Sequence, residues 1–183
     1  MRFIPFDQLP AFQAALAVRI RDGSIVLRRD SLAIALGLCG LRVGEVTKAS
    51  IGDLFVPGRQ LNVATLKKGK PRVVPLHPTL VDALVAWRAD AGGSQREPLL
   101  FTSTGERIQR SHLERFARSI TREALGEPLK FHALRHTFAM SLYAATRDLF
   151  LVQQQLGHRS VTSTEVYARS LARVPESCLV SLI

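Results

Sequence analysis

Between residues 51 and 76 the chain drops the helical spacing of apolar side chains that it keeps on either side. Its apolar residues there fall into three short runs, 53–56, 60–66 and 72–76, separated by Pro57-Gly58 and by Lys67-Lys68-Gly69-Lys70-Pro71. Short β-prone runs broken by such turns predict a three-stranded antiparallel sheet. Everything around this window reads as helix. The expected fold class is therefore mainly α with a small three-stranded antiparallel sheet, an α+β arrangement in one domain.

The helices follow from apolar periodicity and from their punctuation. Asp7 is a good cap for a helix reaching about residue 21, with Leu9, Phe12, Leu16 and Ile20 on one face and Asp22-Gly23 ending it. A second helix, 27–38, is apolar enough to be largely buried, and Gly40 stops it. A short one follows over 42–48. Pro78 suits a first helical position and opens a helix to about residue 91, after which Gly92-Gly93-Ser94 reads as a flexible joint. Ser111 is placed to cap a basic helix reaching residue 125; helices over 132–145 and 149–156 come next. A turn or short helix is expected at 162–167 and a last helix at 170–182. With no internal repeat or linker, residues 1–183 read as one domain, with 1–25 a helical extension and 170–183 a C-terminal segment.

Charge narrows the class of partner. Lys and Arg number 25 against 15 Asp and Glu, a formal net charge of +10. Such an excess favours a polyanion, since neutralising phosphates releases condensed counterions. Only Cys39 and Cys178 are present, which suits free thiols in a reducing compartment rather than a disulfide framework. Residues 1–10 make no signal-peptide core, and the most apolar run, 32–41, is too short to span a bilayer. The expectation is a cytoplasmic chain without a membrane partner.

Two phrases in the last third carry chemistry: His132-Ala133-Leu134-Arg135, and Leu156-Gly157-His158 followed nine residues on by Tyr167. Breaking a phosphodiester without a metal needs a nucleophile, neutralisation of the phosphorane's charge and a proton for the departing oxygen. Tyr167 can attack phosphorus and leave again, conserving the bond energy. The other tyrosine, Tyr143, lies in an apolar helical pattern and reads as core. Arg42, after the most buried-looking helix, and Arg135 each offer a planar fork to phosphate oxygens; the structural alternative for Arg42 is a surface pair with Glu45. His132 and Arg135 are three apart and share a helix face. His136 raises a zinc reading, but His-Ala-Leu-Arg-His has no glutamate after its first histidine to act as base, so no metal is expected. Gly157 lets the chain bring His158 close to a ligand. The Lys67, Lys68 and Lys70 turn is either a solvated basic turn or the source of a proton for the leaving 5′ oxygen, with Lys67 the candidate. Arg110, Arg115, Arg118 and Arg159 can hold DNA phosphates without reading sequence. His77 and His112 lack such context and read as surface.

The motifs Gly40-Leu41-Arg42-Val43-Gly44-Glu45-Val46, Lys67 through Leu76, His132 through Ala139, and Leu156-Gly157-His158 through Tyr167 resemble those of the tyrosine recombinase (phage integrase) family. The resemblance runs from about residue 27 to 169. It implies a 3′-phosphotyrosyl link at Tyr167, a phosphate clamp of Arg42 and Arg135, proton transfer by His132 and a phosphate hydrogen bond from His158. Lys67 is the implied general acid, with Lys68 the alternative; Lys68, Lys70, Arg110, Arg115 and Arg159 are assigned to DNA binding. No cofactor is implied. The partner is double-stranded DNA, bound as a tetramer, with a monomer in free solution and the apolar tail, residues 178–183, either packing on a neighbour or covering its own core. With some 25 residues ahead of the pattern, the chain resembles compact members that work without the usual N-terminal DNA-binding domain, such as fimbrial invertases. An accessory DNA-bending protein fits that picture. The expected activity is site-specific recombination: integration, excision or inversion. Two alternatives stand beside it: a type IB topoisomerase, where His132 departs from the usual lysine or arginine, and a non-catalytic DNA-binding regulator descended from a recombinase.

Overall fold

The computed structural model describes residues 2–64, 71–92 and 98–157. In chain order these hold α1 (Leu9–Asp22), α2 (Ile25–Leu38), α3 (Val43–Lys48), β1 (Leu54–Phe55), β2 (Gln60–Val63), β3 (Arg72–Pro75), α4 (Pro78–Ala91), α5 (Arg110–Leu125), α6 (Phe131–Thr146) and α7 (Leu149–Leu156), with a single 3-10 turn at Ile51–Asp53.

The most apolar helix of the sequence is the spine of the fold. α2 packs against α1, α3, α4, α5 and α6, and its Leu32, Ala33, Ile34 and Leu36 are fully buried. Burying a leucine or isoleucine of this kind contributes about 2 kcal/mol. Gly37 lets α6 approach: a Cβ there would stand 2.9 Å from Leu134 and from the Phe131 ring. Ser24, not a later residue, starts the helix, its hydroxyl accepting the Leu27 N–H at 3.3 Å.

The sheet has the expected antiparallel order β1-β2-β3. Leu54 faces Leu61, which faces Val74 in turn, and Val63 faces Arg72. Leu54, Leu61, Val63 and Val74 point into the core while Phe55 and Val73 lie exposed. Period-2 alternation thus puts Arg72 on the same, inward face as Val74. A second apolar cluster joins Phe6 to Ala139, Met140 and Ala144 of α6 and to Val152 and Leu156 of α7. It seats α7 beside the helix that carries His132 and Arg135.

Several local expectations are corrected. Asp7 does not cap α1. The Gln8 and Leu9 N–H groups both bond the Pro5 carbonyl, and Gln8 is the cap residue with no side-chain bond. α5 begins at Arg110, after Gln109, so Ser111 lies inside the helix. Of the two imidazoles outside the motifs, His77 lies on the surface as expected, whereas His112 is half-buried. His77 accepts the Thr79 N–H at the head of α4, and His112 Nε2 meets the buried Asp30 at 2.6 Å, tying α5 to α2. Tyr143 is half-buried against the second cluster, and Cys39, also half-buried, has its thiol pushed up to about 12 by burial. The expected elements at 162–167 and 170–182, the joint at Gly93-Ser94, and Cys178 lie outside the described residues. No described helix is long and apolar enough to cross a membrane.

Candidate active site

Glu45 organises the site. It is the third residue of α3, and its carboxylate accepts the backbone N–H of Arg42 at 2.7 Å, closing the first turn. The same carboxylate then gathers three guanidinium groups from three elements. Arg42 Nη1 donates to it at 2.9 Å. Arg72, from β3, donates through Nη1 at 3.0 Å and Nη2 at 2.8 Å, a two-pronged pair. Arg135 Nη1, from α6, stands 3.7 Å away. Burial pushes the Glu45 carboxyl up, but the hydrogen bonds and charge of Arg72, the Arg42 N–H and the charge of Arg135 outweigh it and hold it at about 2. One negative charge thus faces three positive ones.

The three arginines differ in access. The Arg42 side chain is 39% exposed and Arg72 only 6%. Arg135 is 1% exposed, its Nη1 donating to the Gly40 carbonyl and its Nη2 to the Leu156 carbonyl, each at 2.6 Å. Gly40 is needed for this: its φ of +89° is left-handed, and a Cβ would strike the Phe138 ring at 2.7 Å. Its carbonyl also accepts from Arg72 Nη2 at 3.3 Å. Leu156 ends α7, and Gly157 beyond it turns left-handed at φ +64°. Arg135 therefore fixes the point from which the chain enters His158.

His132 sits exposed in the first turn of α6, edge-on to His136 with ring centroids 4.3 Å apart. Partial burial first, then the charges of Arg135 and Arg42, lower its proton affinity; Glu114 opposes this and Arg110 adds to it. The imidazole also borders a cavity of about 540 Å³ lined by Arg2, Arg118, Arg122, Lys130 and His136. Arg110 and Arg115 are exposed on α5.

Of the residues chosen from sequence, Arg42, His132 and Arg135 are brought together, and Arg110 lies close enough for its charge to reach His132. Among the described residues, Arg115 makes no bond to the Glu45 cluster. Lys67, Lys68, Lys70, His158, Arg159 and Tyr167 lie outside the described residues. Sequence reasoning missed Arg72 and saw Glu45 only as a surface partner of Arg42. The signal for Arg72 was available: an arginine two residues before an inward valine on a strand has to find a buried acid. Among the described residues, no group of three or more His, Cys, Asp or Glu is arranged to hold a metal ion.

The family model described as the phage integrase family matches residues 2–173. The chain belongs to the phage integrase family. Tyrosine recombinase XerC of Pelobacter propionicus is 36% identical to it over 153 residues, 82% of this chain and 50% of that protein. Tyrosine recombinase XerD of Bifidobacterium longum is 31% identical over 174 residues, covering 88% and 56%. Among solved structures, the XerA recombinase superposes with a TM-score of 0.76 at 26% identity, over 98% of this chain and 62% of that one. The XerH site-specific recombinase bound to a palindromic difH substrate gives 0.78 at 25% identity, over 92% and 50%. This phage integrase family chain spans about half the length of the curated relatives it matches. The resemblance read from the motifs and the expected fold class both hold.

Proposed function

We propose that this chain is a site-specific recombinase that cleaves and rejoins double-stranded DNA through a 3′-phosphotyrosyl intermediate. The observation that carries the reading is the Glu45 cluster, which assembles Arg42 and Arg135 beside His132 in a member of this family. Its relatives named as tyrosine recombinases, and the XerH complex named as bound to difH, support the same reading.

The scissile phosphate sits against Arg42, whose exposed guanidinium donates to its non-bridging oxygens. Arg135, held by two carbonyls, supplies a fixed positive charge that needs no rearrangement as the phosphorane forms, the kind of preorganisation worth several kcal/mol. The Tyr167 oxygen bonds to phosphorus as the bond from phosphorus to the 5′ oxygen breaks. The phenol proton passes to His132, whose lowered proton affinity favours the neutral, accepting form. The 5′ oxygen takes a proton from Lys67, with Lys68 the alternative donor, and His158 donates to a non-bridging oxygen. Rejoining is the reverse, a 5′ hydroxyl attacking the phosphotyrosine. Nothing in this sequence of steps calls for a metal or a cofactor.

DNA lies along the basic face formed by Arg110, Arg115 and the arginine-lined cavity beside His132, with Lys68, Lys70 and Arg159 adding phosphate contacts. The net charge of +10 supports a long phosphate track. Residues 1–183 act as one catalytic domain, monomeric in free solution and tetrameric on DNA. Residues 170–183 pack on the neighbouring protomer, and an accessory protein bends the site.

The test uses nicked suicide duplexes built from short inverted repeats flanking the gene, incubated with EDTA. A denaturant-stable protein–DNA adduct that Tyr167→Phe abolishes is expected. Binding without an adduct on any duplex would favour the regulator, and robust relaxation of a plasmid lacking such repeats the topoisomerase.

A further inference from the structure

α6 carries two residues of the site, yet its own sequence does not cap it. Its cap position is Lys130, whose side chain has no acceptor to offer and makes no cap hydrogen bond. The acceptor comes from another helix. Glu114 Oε2, on α5, takes the N–H of Phe131, the first residue of α6, at 3.3 Å. Phe131 is the neighbour of His132.

The charge of Glu114 matters as much as its hydrogen bond. Its side chain is 25% exposed and its nearest ionic partner, Arg110, is 3.9 Å away and largely solvated, so Glu114 is not neutralised by a tight pair. Among the described residues, the other charges that shift the imidazole are cationic: Arg135 on α6, Arg42 at the head of α3 and Arg110 on α5. His136 stacks edge-on against it, and Glu127 is engaged with Arg2 at 3.9 Å. The positive end of α6 adds to this field. A base surrounded only by cations would hold a proton too weakly to accept one from a phenol.

We propose that Glu114 is a positioning residue for His132, capping the first turn of α6 from α5 and setting a negative charge at the turn that carries the imidazole. The proposal rests on the reading of His132 as the group that moves the Tyr167 proton. Its role is electrostatic and geometric, without contact with the reacting atoms. It also gives α5 a second task beside its exposed basic face.

The test is an NMR titration of the five histidines in the full DNA-free chain, comparing wild type, Glu114→Gln and Glu114→Asp. Glutamine keeps an acceptor for the Phe131 N–H but no charge. The His132 ring signals in Glu114→Gln are expected to titrate at lower pH than in wild type, and those in Glu114→Asp to move back towards it. On a suicide duplex, the acid limb of the Glu114→Gln cleavage profile moves to lower pH and the plateau rate falls roughly two- to tenfold. An unchanged His132 titration in a folded Glu114→Gln chain overturns the proposal, as does a shifted titration with an unaltered cleavage profile. Should the wild type form no adduct, the recombinase reading fails, while the titration still decides whether Glu114 governs the imidazole.

Discussion

Arg135 holds the end of α7: its Nη2 donates to the Leu156 carbonyl at 2.6 Å from a guanidinium that is 1% exposed. The same side chain bonds Gly40, ninety-five residues away in sequence, through Nη1. A residue expected to clamp phosphate thus also ties the loop before Arg42 to the segment that leads to His158. On the proposed mechanism, fold and chemistry depend on one side chain.

Arg135→Lys is therefore expected to fail twice. An ammonium is a point donor and cannot reach both carbonyls, leaving a buried acceptor unsatisfied at about 1–3 kcal/mol. Urea unfolding followed by circular dichroism should show a loss on that order. Adduct formation should fall by about 10²-fold or more even where the chain remains folded. A variant with wild-type stability and near wild-type cleavage would show that neither carbonyl contact matters.

The Glu45 carboxyl makes stability depend on acid. Its folded value, about 2, lies below the ordinary 4.5, so the folded state binds fewer protons than the unfolded one in between. Its contribution is fully present above pH 4.5 and drains away as pH falls towards 2, on the order of 3 kcal/mol in all. Glu45→Gln should lower stability near pH 7 by about 3–5 kcal/mol, since it strands buried guanidinium charge. It should also flatten the pH dependence within that acid window. Urea midpoints measured across pH for both proteins check this, and parallel curves would sink it.

Much of the frame was legible because it is written locally. The apolar period of α2, the Pro57-Gly58 turn and the alternation of β2 each declare themselves within a few residues. Caps were less legible: Asp7 has the right chemistry, but the Pro5 carbonyl takes the N–H groups it would have served. The least legible features were tertiary. Glu45 meets Arg72 across 27 residues, Asp30 meets His112 across 82, and Phe131 meets Glu114 across 17. No spacing rule links such partners. Arg42, His132 and Arg135 could be picked out because their motifs carry a chemical pattern; Glu45 shares the Arg42 motif, but its reach to Arg72 and Arg135 is not written there.

Gly40→Ala isolates the backbone geometry behind the cluster. The new Cβ meets the Phe138 ring at 2.7 Å, and φ of +89° remains unfavourable whatever space is cleared. A loss of about 2 kcal/mol or more is expected in thermal or urea unfolding. Trimming the ring in a Gly40→Ala, Phe138→Ala double variant should restore little, because the strain lies in the backbone and a cavity is added. Full recovery would mean that the contact, and not the dihedral, is what requires glycine.

The cavity beside His132 makes a separate prediction about salt. Arg118 and Arg122 line it and are exposed on α5, so replacing both with glutamine should leave folding nearly unchanged. If both arginines neutralise backbone phosphates, two fewer counterions are released on binding. The slope of log affinity against log salt should then become shallower by about 1.8. Fluorescence anisotropy with a labelled duplex of arbitrary sequence reads that slope, since phosphate contacts do not depend on base identity. At saturating suicide substrate the adduct rate should stay close to wild type, because neither arginine belongs to the Glu45 cluster. An unaltered slope would place the DNA on another face of α5, and a lost adduct rate at saturation would make these arginines part of the chemistry.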